Sequence, residues 1–174
     1  LYLINFKTAI IGVISICLYV FTYTPLKIKT PLSVFVGAIP GAIPYMLGWV
    51  AYTNNFGIEP GILFLFQFFW QFPHFWALAW MFDKDYKKAG FKMLPTGKTD
   101  NASAFQVVFY SFWTVAISLL PMTKYTGDLN LTPFGAILVF TCGLGLLFFA
   151  FKLMRERTNK SAKYLMYSSI AYLT

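Results

Sequence analysis

The sequence predicts an all-α fold, a polytopic bundle of transmembrane helices, and three observations carry that prediction. Of 174 residues, 58% are hydrophobic and 11% charged, with a mean hydropathy of +0.62. Soluble domains carry about a quarter charged residues, so there is more apolar surface here than one core of this size can hide. Apolar runs of about 20 residues, the length that crosses a bilayer's hydrocarbon, recur along the chain, whereas a transmembrane barrel would show short alternating segments. The basic residues sit between those runs. A net charge of +8 therefore reads as membrane orientation, and a nucleic-acid partner is excluded.

Five full spans and part of a sixth are expected, at 5–23, 34–53, 61–82, 105–123 and 133–152, then from 164 onward. No signal peptide is recognisable, because the opening run has transmembrane length and no small-residue cleavage site. Leu1 in place of Met, and a last run starting at Tyr164 that stops at Thr174, lead to the expectation of a single membrane domain, 1–174, incomplete at both ends. Cys17 and Cys142 lie in separate apolar runs and are read as packing residues.

The second span, VFVGAIPGAIPYMLGW, is irregular. Gly37, Gly41 and Gly48 fall on one helical stripe, while Pro40 and Pro44 remove two backbone donors. The stripe suits a close helix–helix contact. The prolines suit a broken helix lining a cavity, where irregular backbone is tolerated inside a membrane.

In the third span, FFWQFPHFWALAW, Gln67, Gln71, His74, Leu78 and Asp85 share one side if the helix continues unbroken. Three hydrogen-bonding side chains would be costly against lipid, so the stripe should face the bundle interior or a wet cavity. Pro73 leaves the carbonyl of Phe69 without its helical donor. With the helix ending near Phe82, His74, the chain's only histidine, would lie roughly 12 Å below the following loop. A buried histidine bonded to Gln71 or a neighbouring helix is the structural alternative to a ligand.

Alternate loops are basic. Lys27 and Lys29 give 24–33 a net +2; five lysines against three aspartates give 83–104 another +2; and 153–163 carries +3. Glu59 makes 54–60 negative, and Lys124 balances Asp128 in 124–132. The positive-inside rule places the three basic loops together on the cytoplasmic side. The Lys27 loop and the Asp83/Asp85 loop could then close over one site. Asp83 and Asp85 would present oxygens in one direction if extended, with Lys87, Lys88 and Lys92 following. Carboxylates beside lysines suit a Mg²⁺–diphosphate, because Mg²⁺ takes one or two carboxylates and completes its shell with phosphate oxygens and water. Aromatic faces beneath, from Phe68, Phe69, Trp70, Phe72, Phe75, Trp76 and Trp80, would stabilise the carbocation left when an allylic diphosphate ionises.

Two stretches carry a family resemblance: YTPLKIKTPLSVFVGAIPGAIPYMLGW at 23–49, and WQFPHFWALAW with DYKKAGFKMLP within 70–95. Together with GDLNL and KLMRERTNKSAK, they resemble the protohaem IX farnesyltransferase (haem O synthase) branch of the UbiA-type intramembrane prenyltransferases. The resemblance implies a nine-helix bundle around a central cavity. The implied reaction transfers farnesyl from farnesyl diphosphate to a vinyl group of protohaem IX, with water supplying a hydroxyl.

It also implies residue roles. Asp85 and Lys92 belong to the second acidic motif, which holds Mg²⁺–diphosphate, with Asp83 a weaker member. Lys27 and Thr30 match the basic loop that meets phosphate, and His74 matches the histidine of W-Q-F-P-H-F, directed at haem iron or a propionate. The expected site is thus Asp85, Lys92 and Lys27 for chemistry, His74, Gln71, Thr30, Lys88 and Trp70 for substrate, and Asp85 with Asp83 for metal. Haem B enters as substrate, not as a prosthetic group. Expected partners are farnesyl diphosphate, protohaem IX, the bilayer of a bacterial inner membrane, and haem A synthase or oxidase assembly factors.

Departures from the family pattern are specific. No N-D-x-x-D first acidic motif occurs, and in family order the chain runs from near the fourth helix into the ninth, so this stretch alone is expected to be inactive. Ile28 and Ser33 stand where many members carry a basic residue and Asn. From the residues alone, a prenyltransferase for an aromatic or quinone precursor, a transporter, and a non-catalytic haem-handling subunit stay open.

Overall fold

The computed structural model describes residues 4–174. The first span, Phe6–Leu26, is α1 (Phe6–Cys17), a stretch of wider π turns (Leu18–Tyr23) and the short α2 (Thr24–Leu26). Asn5 caps α1 by accepting from the Thr8 backbone N–H at 2.8 Å, and its Nδ2 donates to the Val50 carbonyl at 3.0 Å. Pro25 lacks an N–H to close an ordinary turn, and both the Thr24 backbone N–H and its hydroxyl go back to the Tyr19 carbonyl. Tyr19 and Tyr23, four residues apart, lie on one face with ring centroids 5.2 Å apart.

α3 (Ser33–Thr53) runs unbroken through Pro40 and Pro44, which corrects the broken-helix expectation. Pro44 deprives the Pro40 carbonyl of its helical donor, and Ser15 Oγ on α1 supplies one at 3.2 Å. The neighbouring helix thus repairs the gap. The glycine stripe is not one contact either: a side chain at Gly37 would strike the Tyr23 ring, one at Gly41 would strike Gln71, and one at Gly48 would meet nothing.

α4 (Ile58–Met81) is the axis of the bundle, with α3, α6 (Asn101–Ser118) and α8 (Asn159–Leu173) packed on it and α7 (Pro133–Glu156) closing the ring between α6 and α8. Half of its most apolar window is buried, against 6% for the first span. Phe72, Trp76 and Trp80 are at most 1% exposed and centre the core, together with Leu94 from the following loop. No strand occurs among the described residues, and five helices are long and apolar enough to cross a bilayer.

The loop expected at 83–104 contains α5 (Asp83–Lys88), and α6 begins inside it, capped by Asp100. The last helix likewise starts earlier than Tyr164: Arg157 turns left-handed (φ 52°), and Thr158 and Ser161 form a reciprocal capping box. Antiparallel packing puts alternate loops at the same end. At one end the Lys92 N–H bonds the Lys27 carbonyl at 3.0 Å, and Asn159 Nδ2 reaches the Met81 carbonyl at 3.5 Å. At the other, Lys7 Nζ meets the Asn54 carbonyl at 2.8 Å, and Glu59 accepts from the Asp128 N–H at 3.1 Å.

Candidate functional site

Two basic segments meet at the first of these ends. α5 stops in a Schellman turn: Gly90 is left-handed (φ 76°), its N–H bonds the Lys87 carbonyl, and the Phe91 N–H bonds the Tyr86 carbonyl at 2.8 Å. That reversal lays 91–94 back over the bundle. Leu94, 2% exposed, anchors it in the core. Lys92 is then strapped to the other basic loop twice, by its backbone N–H on Lys27 and by Nζ on the Lys29 carbonyl at 3.3 Å.

Between them lies a hollow of about 420 Å³ whose walls include Pro31, Asp83, Tyr86, Lys87, Lys92 and Met93. A second pocket of about 180 Å³ lies among the helices, walled by Tyr19, Tyr23, Gly41, Gln71, Phe75 and Met93. Met93 lines both, so the charged hollow and the aromatic pocket are neighbours across one flexible side chain. Lys27 lies against two rings of that pocket, its ammonium 4.6 Å from the Tyr23 ring centroid and 5.9 Å from that of Tyr19.

Asp83 and Asp85 do not act as an extended pair. On α5, residues two apart point to opposite sides of the helix. Asp83 is bound to Lys87 at 2.7 Å and lines the hollow; Asp85 is exposed and makes no ion pair among the described residues. Mg²⁺ needs only one or two carboxylates when a diphosphate brings the other oxygens. Asp85 beside exposed lysines fits that donor set. A cage of three or more protein ligands does not fit, for no such His, Cys, Asp or Glu cluster occurs among the described residues.

The polar stripe of the third span divides, which corrects the single-face reading. Gln71 turns to α3, its Nε2 donating to the Ala38 carbonyl and to the Gln67 carbonyl, both at 3.1 Å. His74 turns to α8, with Nδ1 2.9 Å from Ser169 Oγ. Three residues advance a helix by about 300°, leaving 60° between these directions, enough to select different neighbours on a crowded central helix. Trp70 follows His74: its indole N–H donates to the Ser169 carbonyl at 2.7 Å, and its ring stacks on the imidazole at 4.9 Å.

The structure thus brings Lys92 and Asp83 to the hollow and Gln71 to the pocket, with Lys27 against the rings of Tyr19 and Tyr23 and Thr30 in the same loop as Lys27. It sets Asp85 and Lys88 on the exposed outer face of α5, outside the lining of the hollow, and His74 and Trp70 on the flank toward α8. Tyr19, Tyr23, Met93 and Ser169 were missed by sequence reasoning. The Pro25 next to a Tyr-x-x-x-Tyr pair is the signal that could have found the tyrosines.

The chain matches the model of the UbiA prenyltransferase family over residues 1–171. It is 62% identical over its whole length to a protein of Flavobacterium psychrophilum named protoheme IX farnesyltransferase, and 59% to one of the same name from Christiangramia forsetii. It spans 58% of the length of each of these relatives. A third of that name, from Cytophaga hutchinsonii, is 43% identical over 94% of the chain and is 56% covered. No solved structure matches.

Proposed function

Because this chain belongs to the UbiA prenyltransferase family, we propose that it forms part of a protoheme IX farnesyltransferase. With five bilayer-length apolar helices in a family of membrane enzymes, it is a multi-pass membrane protein. The proposed setting is a bacterial inner membrane, with loops 24–33, 83–104 and 153–163 on the cytoplasmic side, as their positive charge favours.

In the proposed reaction the C1–O bond of farnesyl diphosphate breaks and its electron pair leaves with pyrophosphate. The vinyl π electrons of protohaem IX form the new bond to C1. Water adds to the cation left at the inner vinyl carbon and loses a proton, giving the hydroxyl of haem O. Lys92 and Lys27, with Lys88 on the exposed face of α5, meet the diphosphate as positive point charges, and the Thr30 hydroxyl adds a donor. Mg²⁺ carried with the diphosphate would be held, as the family resemblance implies, by Asp85 on the outer face of α5, with Asp83 on the wall of the hollow, and would offset charge on the departing anion. The faces of Tyr19, Tyr23 and Phe75 stabilise positive charge on the farnesyl carbon and keep water away from it. His74 and Trp70 serve the porphyrin.

The observation that carries the proposal is the shared wall at Met93, a lysine-lined hollow set beside an aromatic pocket with that one flexible side chain between them. That is the shape of an anionic head with a greasy tail. The test is direct. Membranes holding the full-length protein are given haem B, farnesyl diphosphate and Mg²⁺, and haem O is sought by mass spectrometry. Its formation is expected; a folded protein that makes none contradicts the proposal.

A further inference from the structure

His74 is held on three sides. Trp70 stacks on its face with rings 15° from parallel, Phe75 meets it edge-on at 5.6 Å, and Ser169 Oγ lies 2.9 Å from Nδ1. Ser169 is fully buried, and its backbone carbonyl also takes the Trp70 indole N–H at 2.7 Å. One residue of α8 therefore fixes both rings.

The hydrogen-bond directions decide which nitrogen of His74 carries the proton. A serine hydroxyl has one proton to give, and Ser169 gives it to the Met166 carbonyl at 2.7 Å. With that proton turned to the Met166 carbonyl, the oxygen accepts from His74, an arrangement that assigns the hydrogen to Nδ1. In a neutral imidazole that leaves Nε2 as a bare lone pair, on the side of the ring turned away from α8. Nε2 makes no hydrogen bond among the described residues, and the ring is only half-buried.

We propose that Ser169 is a positioning residue: through the Nδ1–H···Oγ bond it locks His74 in the tautomer and orientation that offer Nε2 as a ligand to the iron of the tetrapyrrole acceptor. This rests on the haem reading of the proposed function and deepens it. An outer partner that fixes the second nitrogen of a ligating histidine commonly changes ligand affinity by 10–100-fold.

The tautomer is read first without haem, on full-length protein with ¹⁵N-labelled histidine in lipid nanodiscs, the His74 signals being identified by their loss in His74→Gln. Protonated Nδ1 and bare Nε2 are expected in the wild type, with a shift toward the Nε2–H form in Ser169→Ala. A wild-type Nε2–H form overturns the proposal, and that result does not depend on any variant folding.

Haem B is then titrated and its Soret band followed. Ser169→Ala should weaken haem binding by about tenfold or more and alter the spectrum, while Ser169→Thr, which keeps the accepting oxygen, restores both. Farnesyl diphosphate affinity should not move. Wild-type spectrum and affinity in Ser169→Ala overturn the positioning role. A haem spectrum indifferent to His74→Gln overturns it too, yet continued haem O formation in that case leaves the transferase reading standing.

Discussion

Asp83 and Asp85 stand two residues apart and meet different surroundings. Asp83 is neutralised by Lys87 at 2.7 Å, whereas Asp85 is exposed and carries no ion pair among the described residues. If Asp85 is the carboxylate that meets Mg²⁺–diphosphate, Asp85→Asn removes its charge where leaving-group charge develops. Haem O formation by the full-length protein should fall about 100-fold or more with helicity unchanged, and Asp83→Asn should cost much less. Near-normal turnover in Asp85→Asn would take that residue out of the site. Asp100 makes a prediction about stability. The Ser103 backbone N–H, with help from the Thr96 and Ser103 hydroxyls, holds its carboxyl below the ordinary value. Because the folded pKa is depressed, the cap's charge-dependent stabilisation is present above the unfolded value near 4 and is lost as pH falls through the lower folded value. Asp100→Ala should cost about 1 kcal/mol at neutral pH. In thermal unfolding, its deficit against the wild type should shrink toward acid pH; a constant deficit would assign the effect elsewhere.

At the scale of the element, the site depends on how one short helix ends. Gly90, at φ 76°, lets the chain leave α5 backwards, and without that reversal Lys92 would not reach the carbonyls of Lys27 and Lys29. A Cβ at Gly90 meets no neighbour, so Gly90→Ala pays only for the left-handed backbone, about 1–2 kcal/mol. Limited proteolysis should then cut 89–100 faster, and pyrophosphate should inhibit the full-length enzyme less well; unchanged inhibition would mean that the strap does not shape the anion site. This strap is also where sequence reading stops. The bilayer-length spans were legible because lipid demands about 20 apolar residues whatever their neighbours. The ends of α5 and α8 were not, since six polar residues and a run beginning Asn-Lys-Ser look like loop until a cap or a Schellman turn closes on them. Pro40 and Pro44 misled for a related reason: the hydroxyl that repairs the Pro40 carbonyl comes from Ser15, 25 residues earlier.

For the whole molecule, loop charge alone was enough to pair the two basic loops at one end, and the Lys92–Lys27 bond lies where that pairing requires. In intact cells, cysteines placed at Lys29 or Lys98 should resist an impermeant thiol reagent, and one at Tyr125 should react; the opposite pattern would invert the topology. The division of labour around α4 was beyond periodicity. A helix wheel groups Gln67, Gln71 and His74, but α3 and α8 both press on that helix, and each takes the polar group nearest to it. The pocket wall was hidden as well, because Tyr19 and Tyr23 belong to a different span and meet Gln71 and Phe75 only in the packed bundle.

The central claim is that an anionic head and its apolar tail occupy the two neighbouring cavities that Met93 lines. A farnesyl diphosphate analogue with a photoreactive group on its tail tests it most directly, by mapping adducts on the full-length protein in membranes with and without excess pyrophosphate. Adducts are expected on Tyr19, Tyr23, Phe75 or Met93, and pyrophosphate should suppress them. Label confined to Leu138, Val139 or Cys142, which line a separate apolar cavity in the other half of the bundle, or label indifferent to pyrophosphate, would contradict the account.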